Sequence, residues 1–186
     1  WRLQLKAAIP LGARDFDATE AYLRTPDGQA LSSDEFYRCV IDLQRARFSA
    51  LRRCDDWSLG VAVLPMMALA EYRMTGDATR ARRGYEKFLA GTAVTRDLDA
   101  YGHTIALVAD LGRVREARAL LDEWRARTGG GDDPGYRADS AYAVGAIAAA
   151  EGNWERAASA FLAWNGSPAA SAWHFYNRGL VEAANA

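Results

Sequence analysis

Histidine, cysteine and lysine are scarce in this chain, which has only two of each among its 186 residues. The histidines, His103 and His174, lie 71 residues apart, and neither has a second metal-ligating residue four positions further on. Zinc sites usually bring such residues together at short spacing. The sequence therefore predicts that the chain is not an enzyme, has no catalytic residues, and holds no metal ion or cofactor.

Long apolar runs are absent as well. The longest, residues 59–70, contains Gly60 and Pro65 and falls short of the ~18 residues that a membrane span requires. No signal peptide is recognisable, so we expect a cytoplasmic protein without a membrane span. The chain opens at Trp1 without a methionine and closes at Ala186 within a predicted helix, which indicates a part of a longer protein.

A strong net charge is also missing, since 23 basic and 24 acidic side chains leave a formal charge of −1. Nucleic-acid-binding domains usually show a basic face, so we expect no nucleic-acid partner. Arginines cluster at residues 45–53 and 80–83, where a solvated helix face is favoured over a phosphate-contacting surface. Few β-branched residues are present to build a sheet, whereas the helix formers alanine and arginine abound. The excess of arginine over lysine is typical of a GC-rich bacterial genome.

Cys39 and Cys54 leave two alternatives open. Residues 33–53 have a strongly helical pattern, and one continuous helix would hold the cysteines about 22 Å apart, too far for a disulfide. A turn at residues 46–48 would interrupt that helix and allow a bridge. We favour two free thiols, as in a reducing compartment.

Three stretches of the chain resemble one another and predict three helix–turn–helix units. In each, a helical run reaches a glycine, an alanine follows five residues later, and a large apolar residue follows four residues after that. The glycine ends the first helix, the alanine lets two helices approach closely, and the large residue fills the interface on the same face. The three sets are Gly76, Ala81 and Tyr85; Gly112, Ala117 and Leu121; and Gly152, Ala157 and Phe161.

The last of these stretches carries the strongest family signal. Gly145, the turn at residues 152–154, Ala157, Phe161 and Pro168 resemble the motif of the tetratricopeptide repeat family. The resemblance implies an all-α fold, an α-solenoid of antiparallel helix hairpins with four to five repeats. It also implies a single continuous domain, with degenerate helical repeats in residues 1–62 and clearer repeats in residues 63–186, the last of them truncated.

In that family the first helix of each repeat lines a groove that binds a partner. The resemblance therefore implies a soft, aromatic and lightly charged binding surface here. Because lysine is nearly absent, an amphipathic helix or an apolar extended peptide fits better than a partner's C-terminal carboxylate. The implied groove positions are Met66, Met67, Arg73, His103, Tyr142, Trp173, Tyr176 and Asn177, with Met74, Asp110 and Asp139 beside them.

The predicted function is that of a protein–protein interaction scaffold, which binds a partner peptide or helix from another protein. Two alternatives stay open. Residues 180–186 provide no polar capping helix, so further copies of the chain could assemble head to tail into an array or filament. Alternatively, the chain is the regulatory or sensor arm of a larger bacterial kinase or transcription regulator, which residues upstream of Trp1 would decide.

Overall fold

A computed structural model of the chain describes residues 2–13, 15–31, 34–47, 49–50, 54, 60–92, 96, 98–129 and 134–165. Within these ranges every regular element is a helix and no strand occurs, which confirms the predicted all-α class. None of the described helices combines the length and the hydropathy needed to cross a membrane. The chain divides into two compact units, unit 1 (Trp1–Gly60) and unit 2 (Val61–Ala186). The expectation of one continuous solenoid, with degenerate repeats in residues 1–62 and clearer repeats in residues 63–186, stays a prediction.

The described helices of unit 1 are short, and side-chain caps set where two of them begin. Asp15 Oδ1 accepts a hydrogen bond from the N–H of Ala18 at 2.9 Å, and Thr25 Oγ1 accepts one from the N–H of Gly28 at 3.2 Å. Such caps satisfy backbone donors that the first helical turn leaves unpaired. The helices are α1 (Arg2–Gly12), α2 (Phe16–Leu23), α3 (Pro26–Gln29) and α4 (Asp34–Gln44). The buried core residues of unit 1 include Ala7, Leu23, Leu31, Tyr37 and Ile41.

A turn after α4 decides between the two alternatives for residues 33–53. Ala46 has a φ of 53°, in the left-handed region. Its N–H donates to the carbonyl of Leu43 at 3.0 Å, and the N–H of Arg47 donates to the carbonyl of Asp42 at 2.8 Å. These two bonds form a Schellman motif, which ends the helix. The predicted turn is therefore confirmed, and one continuous helix is wrong.

Cys39 and Cys54 form a disulfide with their Cα atoms 6.1 Å apart. Both side chains are buried. The expectation of two free thiols is wrong, because the turn after α4 lets the following segment return to the helix that carries Cys39. The bridge joins residues 15 positions apart in the sequence.

Unit 2 contains the three predicted helix–turn–helix stretches. Gly76, Gly112 and Gly152 have φ values of 74°, 77° and 74°, so each predicted turn glycine is confirmed. The N–H of Gly112 donates to the carbonyl of Ala109 at 2.9 Å, as in a Schellman motif. The helices that flank these turns are α5 (Gly60–Thr75) and α6 (Thr79–Ala90), α7 (Tyr101–Asp110) and α8 (Val114–Arg127), and α9 (Pro134–Ala150) and α10 (Trp154–Asn165), with a short 3₁₀ helix (Leu98–Ala100) before α7.

The small and large residues predicted after each turn lie in the core of unit 2. Helix α7 packs against α8 and α9, and α9 packs against α10. Helices α9 and α10 approach closely at Gly145, where a Cβ atom would lie 2.5 Å from Cε1 of Phe161. Both halves of the predicted pattern are therefore confirmed as core positions. The buried residues are Ala81, Ala117 and Ala157, with Tyr85, Leu121 and Phe161 one helical turn after them.

Candidate functional site

The first helices of the three pairs, α5, α7 and α9, bring four of the predicted groove positions together. Arg73 on α5 pairs with Asp110 on α7, with Nη2 donating to Oδ1 at 3.1 Å and Nε donating to Oδ2. His103 lies seven residues before Asp110, which is two helical turns and therefore the same face of α7. The His103 ring lies 5.4 Å from the ring of Tyr142 on α9. The surface of α5, α7 and α9 that carries Arg73, His103 and Asp110 is called the first-helix face here.

His103 is partly exposed, but its Nδ1 atom is buried and has no hydrogen-bond partner among the described residues. Burial, assisted by the positive charge of Arg73, lowers the pKa of His103 from 6.5 to about 4. The imidazole is therefore neutral at pH 7, with one nitrogen donating and the other accepting. Buried polar atoms without partners are uncommon and cost about 1–3 kcal/mol each. His103 is thus a neutral polar side chain at the edge of the core, close to the charged group of Arg73.

Met67 and Tyr142, two of the predicted groove residues, lie in the interior. Met67 is fully buried and Tyr142 is 2% exposed. The Tyr142 ring packs 6.2 Å from Phe161 and 4.4 Å from Trp164. The helical period identifies the apolar face of a helix but does not separate its core edge from its exposed edge. The described geometry therefore makes these two side chains part of the core that supports the first-helix face.

The remaining predicted groove positions are described only in part. Met74 is exposed at the end of α5. A Cβ atom at Gly102 of α7 would lie 3.6 Å from the Cβ of Asp139, so α9 runs close to α7 at this point. The side chain of Met66 and the residues Trp173, Tyr176 and Asn177 lie outside the described part of the chain, and their groove roles stay predictions.

The arginine clusters have partners that the sequence did not reveal. Both clusters were expected to be solvated helix faces, but Arg80 is buried and its Nε donates to a carboxylate on α5. The partners lie on neighbouring helices, so no local spacing predicts them. Ion pairing of this kind lowers the charge available to phosphate groups. The pairs are Arg45 with Asp17, Arg47 with Glu20, and Arg80 with Glu71.

Comparison of the chain with protein-family models finds no matching family, and comparisons with curated proteins and with solved structures find no match either. The fold class therefore rests on the structure itself, in which every regular element of the described ranges is a helix. The resemblance to the tetratricopeptide repeats rests on the sequence motifs quoted above.

Proposed function

We propose that unit 2 is a helical-repeat interaction module, an α-solenoid of antiparallel helix pairs that binds a partner protein on the first-helix face. The observation that carries the proposal is the position of the partly exposed, neutral ring of His103 on the same face as the ion pair of Arg73 and Asp110. A bound group that forms a hydrogen bond with the exposed part of this face gains about 0.5–1.5 kcal/mol. The proposed role is binding and not catalysis.

The polar groups of the first-helix face favour a peptide backbone as the bound group. Each peptide unit offers one donor and one acceptor, and the neutral ring of His103 can pair with either. The ion pair of Arg73 and Asp110 adds a cation and an anion on the same surface. We infer that the partner contributes an extended segment, held mainly by hydrogen bonds to its main chain.

The buried positions of Met67 and Tyr142 change the expected partner and the expected test. A groove lined by exposed methionine and tyrosine would select an apolar peptide, but these two side chains are core residues. A charged residue at either position would be buried without a partner, at a cost large enough to unfold the unit. The face is therefore better tested at Arg73 and His103.

The test begins with selection of displayed random peptides on the immobilised 186-residue chain. Affinities of the selected peptides are then measured by fluorescence anisotropy for the wild type, His103→Ala and Arg73→Gln. We expect each substitution to weaken binding at least tenfold, which corresponds to about 1.4 kcal/mol. Arg115→Gln is the matched control, because Arg115 is exposed on the second helix α8. It should leave the affinity unchanged.

Two outcomes would contradict the proposal. The first is a set of selected peptides that bind His103→Ala as tightly as the wild type. The second is an equal loss in Arg115→Gln, which would place binding elsewhere on unit 2. Far-UV circular dichroism of each variant verifies that helicity is retained.

A second copy of the chain is the other partner that the sequence leaves open. Light scattering on a sizing column, over a wide range of protein concentrations, separates the two. A constant monomer mass supports a foreign partner, whereas species that grow with concentration support self-assembly. The anisotropy measurements are then made at concentrations where the chain is monomeric.

A further inference from the structure

Unit 1 contains a cluster of metal-ligating side chains that is separate from the proposed binding function. One carboxylate oxygen of Glu35 and the sulfurs of Cys39 and Cys54 lie within 4.8 Å of one another. Both cysteines are buried and Glu35 is half-buried. Oε1 of Glu35 lies 3.8 Å from Sγ of Cys39. No other group of three such side chains converges among the residues that the structure describes.

Two features of the chain build this cluster. Glu35 and Cys39 are four residues apart on α4 and so occupy the same face of the helix. The turn at Ala46 ends α4 and allows Cys54 to return to that face, with its Cα 6.1 Å from the Cα of Cys39. Sequence analysis could not find the site, because it rests on a contact across 15 residues and on the position of one turn.

We propose that Glu35, Cys39 and Cys54 bind one Zn²⁺ ion when the disulfide is reduced. In the oxidised chain the two sulfurs are bonded to each other and cannot serve as thiolate ligands. In a reducing compartment the same residues present two thiolates and a carboxylate, all of which are established zinc ligands. Two soft sulfur ligands favour zinc over magnesium or calcium, which prefer all-oxygen sites.

The redox step balances with a dithiol as the reductant. A thiolate of the dithiol attacks one sulfur of the disulfide, breaks the S–S bond and forms a mixed disulfide. The second thiol of the dithiol then displaces the protein thiol, so two electrons pass to the chain and the dithiol becomes a cyclic disulfide. Binding of Zn²⁺ afterwards releases one proton from each cysteine thiol.

The backbone geometry is compatible with a metal ion between the two cysteines. Zn–S bonds of about 2.3 Å in a tetrahedral site place two sulfurs about 3.8 Å apart. Cysteines that can form a disulfide have Cβ atoms about 4 Å apart, so rotation about the Cα–Cβ bonds is enough to reach this separation. Glu35 supplies the third ligand, which leaves the fourth position for water.

The proposed site gives unit 1 the same cross-link in two chemical forms. Under oxidising conditions the disulfide ties Cys54 to α4. After reduction the zinc ion would tie the same two residues through its bonds to both sulfurs. The segment that follows α4 would then stay attached to the helix in either compartment.

Cobalt serves as the spectroscopic probe of the site. The full chain is reduced with a phosphine, desalted under nitrogen and titrated with Co²⁺, which takes the same tetrahedral ligands. We expect sulfur-to-cobalt charge-transfer absorption and visible bands that saturate at one Co²⁺ per chain and disappear on addition of Zn²⁺. The oxidised chain should give neither.

Three variants test the ligands individually, and a fourth is the matched control. Cys39→Ser and Cys54→Ser should each abolish the charge-transfer bands, and Glu35→Gln should weaken Co²⁺ binding at least tenfold. Asp34→Asn should bind as the wild type does, because Asp34 pairs with Arg38 at 3.2 Å and is not a ligand.

Alkylation of the unmutated chain provides a measurement that does not depend on the folding of any variant. Zn²⁺ should slow the reaction of both reduced cysteines with iodoacetamide at least tenfold. Three results would overturn the proposal. They are alkylation rates that Zn²⁺ does not change, saturation at one Co²⁺ per two chains, and a Glu35→Gln variant that binds Co²⁺ as tightly as the wild type.

Discussion

Units 1 and 2 are both built from helices, but different interactions hold them together. The described core of unit 1 is small, and a disulfide and several ion pairs surround it. The described core of unit 2 has residues on each of the helices α5 to α10 and includes the rings of tyrosine, phenylalanine and tryptophan. Ion pairs also occur in unit 2, so the disulfide and the small core distinguish unit 1, whereas unit 2 depends more on the burial of apolar area.

The ion pairs of unit 1 centre on Glu20 of α2. Its carboxylate accepts a hydrogen bond from Arg47 and also lies 3.5 Å from Arg45. The hydrogen bond from Arg47 holds the pKa of Glu20 below its ordinary value of 4.5, against the opposing effect of burial. Exposed ion pairs contribute only about 0–1 kcal/mol each. The disulfide is therefore expected to be the larger contribution to the stability of unit 1.

The rings of unit 2 form two sets of contacts among the described residues, one around Trp124 and one around Tyr142. Trp124 stacks on Tyr101 with ring centroids 5.9 Å apart and meets the edge of Tyr136 at 6.1 Å. Large rings bury the most apolar area per residue, and their pairwise geometry adds about 0.5–1.5 kcal/mol. A unit of this kind loses more stability from one deleted ring than from one deleted ion pair.

The largest effect is expected from Trp124→Ala. Deleting this fully buried ring should lower the free energy of unfolding of unit 2 by about 3–5 kcal/mol, the range for such core truncations. Hydrogen exchange read by mass spectrometry reports the two units separately. Trp124→Phe is the milder control, because it keeps a ring and removes Nε1, which has no partner among the described residues. Equal losses of protection from hydrogen exchange in peptides of both units would show that the units unfold together, which would contradict the proposed difference between them.

Loss of the disulfide should be the matching test in unit 1. For a loop of 15 residues, the chain-entropy model gives a loss of about 3 kcal/mol. The double variant Cys39→Ala/Cys54→Ala is compared with the oxidised wild type in the presence of a metal chelator, so that no zinc restores the link. Exchange should increase more in peptides of unit 1 than in those of unit 2. Unchanged protection in unit 1 would mean that its ion pairs and small core are sufficient.

The contrast also explains how much could be predicted from the sequence. Unit 2 follows local rules, and its turns and interfaces were found from Gly112, Ala117 and Leu121 and their equivalents, since a left-handed turn favours glycine and a close helix contact favours alanine. In unit 1 the sequence left two alternatives for residues 33–53, one continuous helix or a helix that ends at a turn at residues 46–48. The turn at Ala46 lacks a glycine, and the position of that turn decides whether Cys39 and Cys54 can meet.

The candidate site was predicted only in part, for a related reason. His103 and Asp110 share a face of α7 because helical spacing places them there, whereas Arg73 meets Asp110 from α5. The family resemblance assigned Met67 and Tyr142 to the groove, but their burial depends on how deeply the neighbouring helices pack. The ion pair of Arg73 with Asp110 joins residues 37 positions apart, a distance that no motif covers.

His103 should make the stability of unit 2 sensitive to mild acid. Its pKa falls from 6.5 to about 4 on folding, so between these values the folded state binds fewer protons than the unfolded state. The contribution of His103 to stability is then full above pH 6.5 and is lost as the pH falls through 4, by a total on the order of 3 kcal/mol. Denaturant unfolding at several pH values should show that the free energy of unfolding decreases as the pH falls below 6.5. This pH dependence should vanish in His103→Gln and persist in His174→Gln. If it survives in His103→Gln, another group causes it.

Single glycine or alanine substitutions at the left-handed turns should change stability least, with opposite signs in the two units. Ala46 pays the Cβ penalty of about 1–2 kcal/mol at φ 53°, so Ala46→Gly should stabilise unit 1 by about 0.5–1 kcal/mol after the greater freedom of glycine in the unfolded chain is subtracted. Gly112→Ala introduces that penalty at φ 77° and, after the same correction for the unfolded chain, should destabilise unit 2 by about 0.5–1 kcal/mol.

Gly102→Ala is the control for Gly112→Ala, because it replaces a glycine that lies within a helix and not at a left-handed turn. Gly102 lies within α7, and a Cβ there would meet its nearest atom at an ordinary 3.6 Å, so alanine should stabilise the helix by about 0.5–1 kcal/mol. Denaturation midpoints of the three variants give the comparison. If Ala46→Gly and Gly112→Ala shift stability in the same direction, the turn of unit 1 does not have the conformation of the turns of unit 2. If they shift in opposite directions, the same Schellman geometry ends helices in both units, and unit 1 tolerates the less favourable residue because its cross-link fixes the chain beyond the turn.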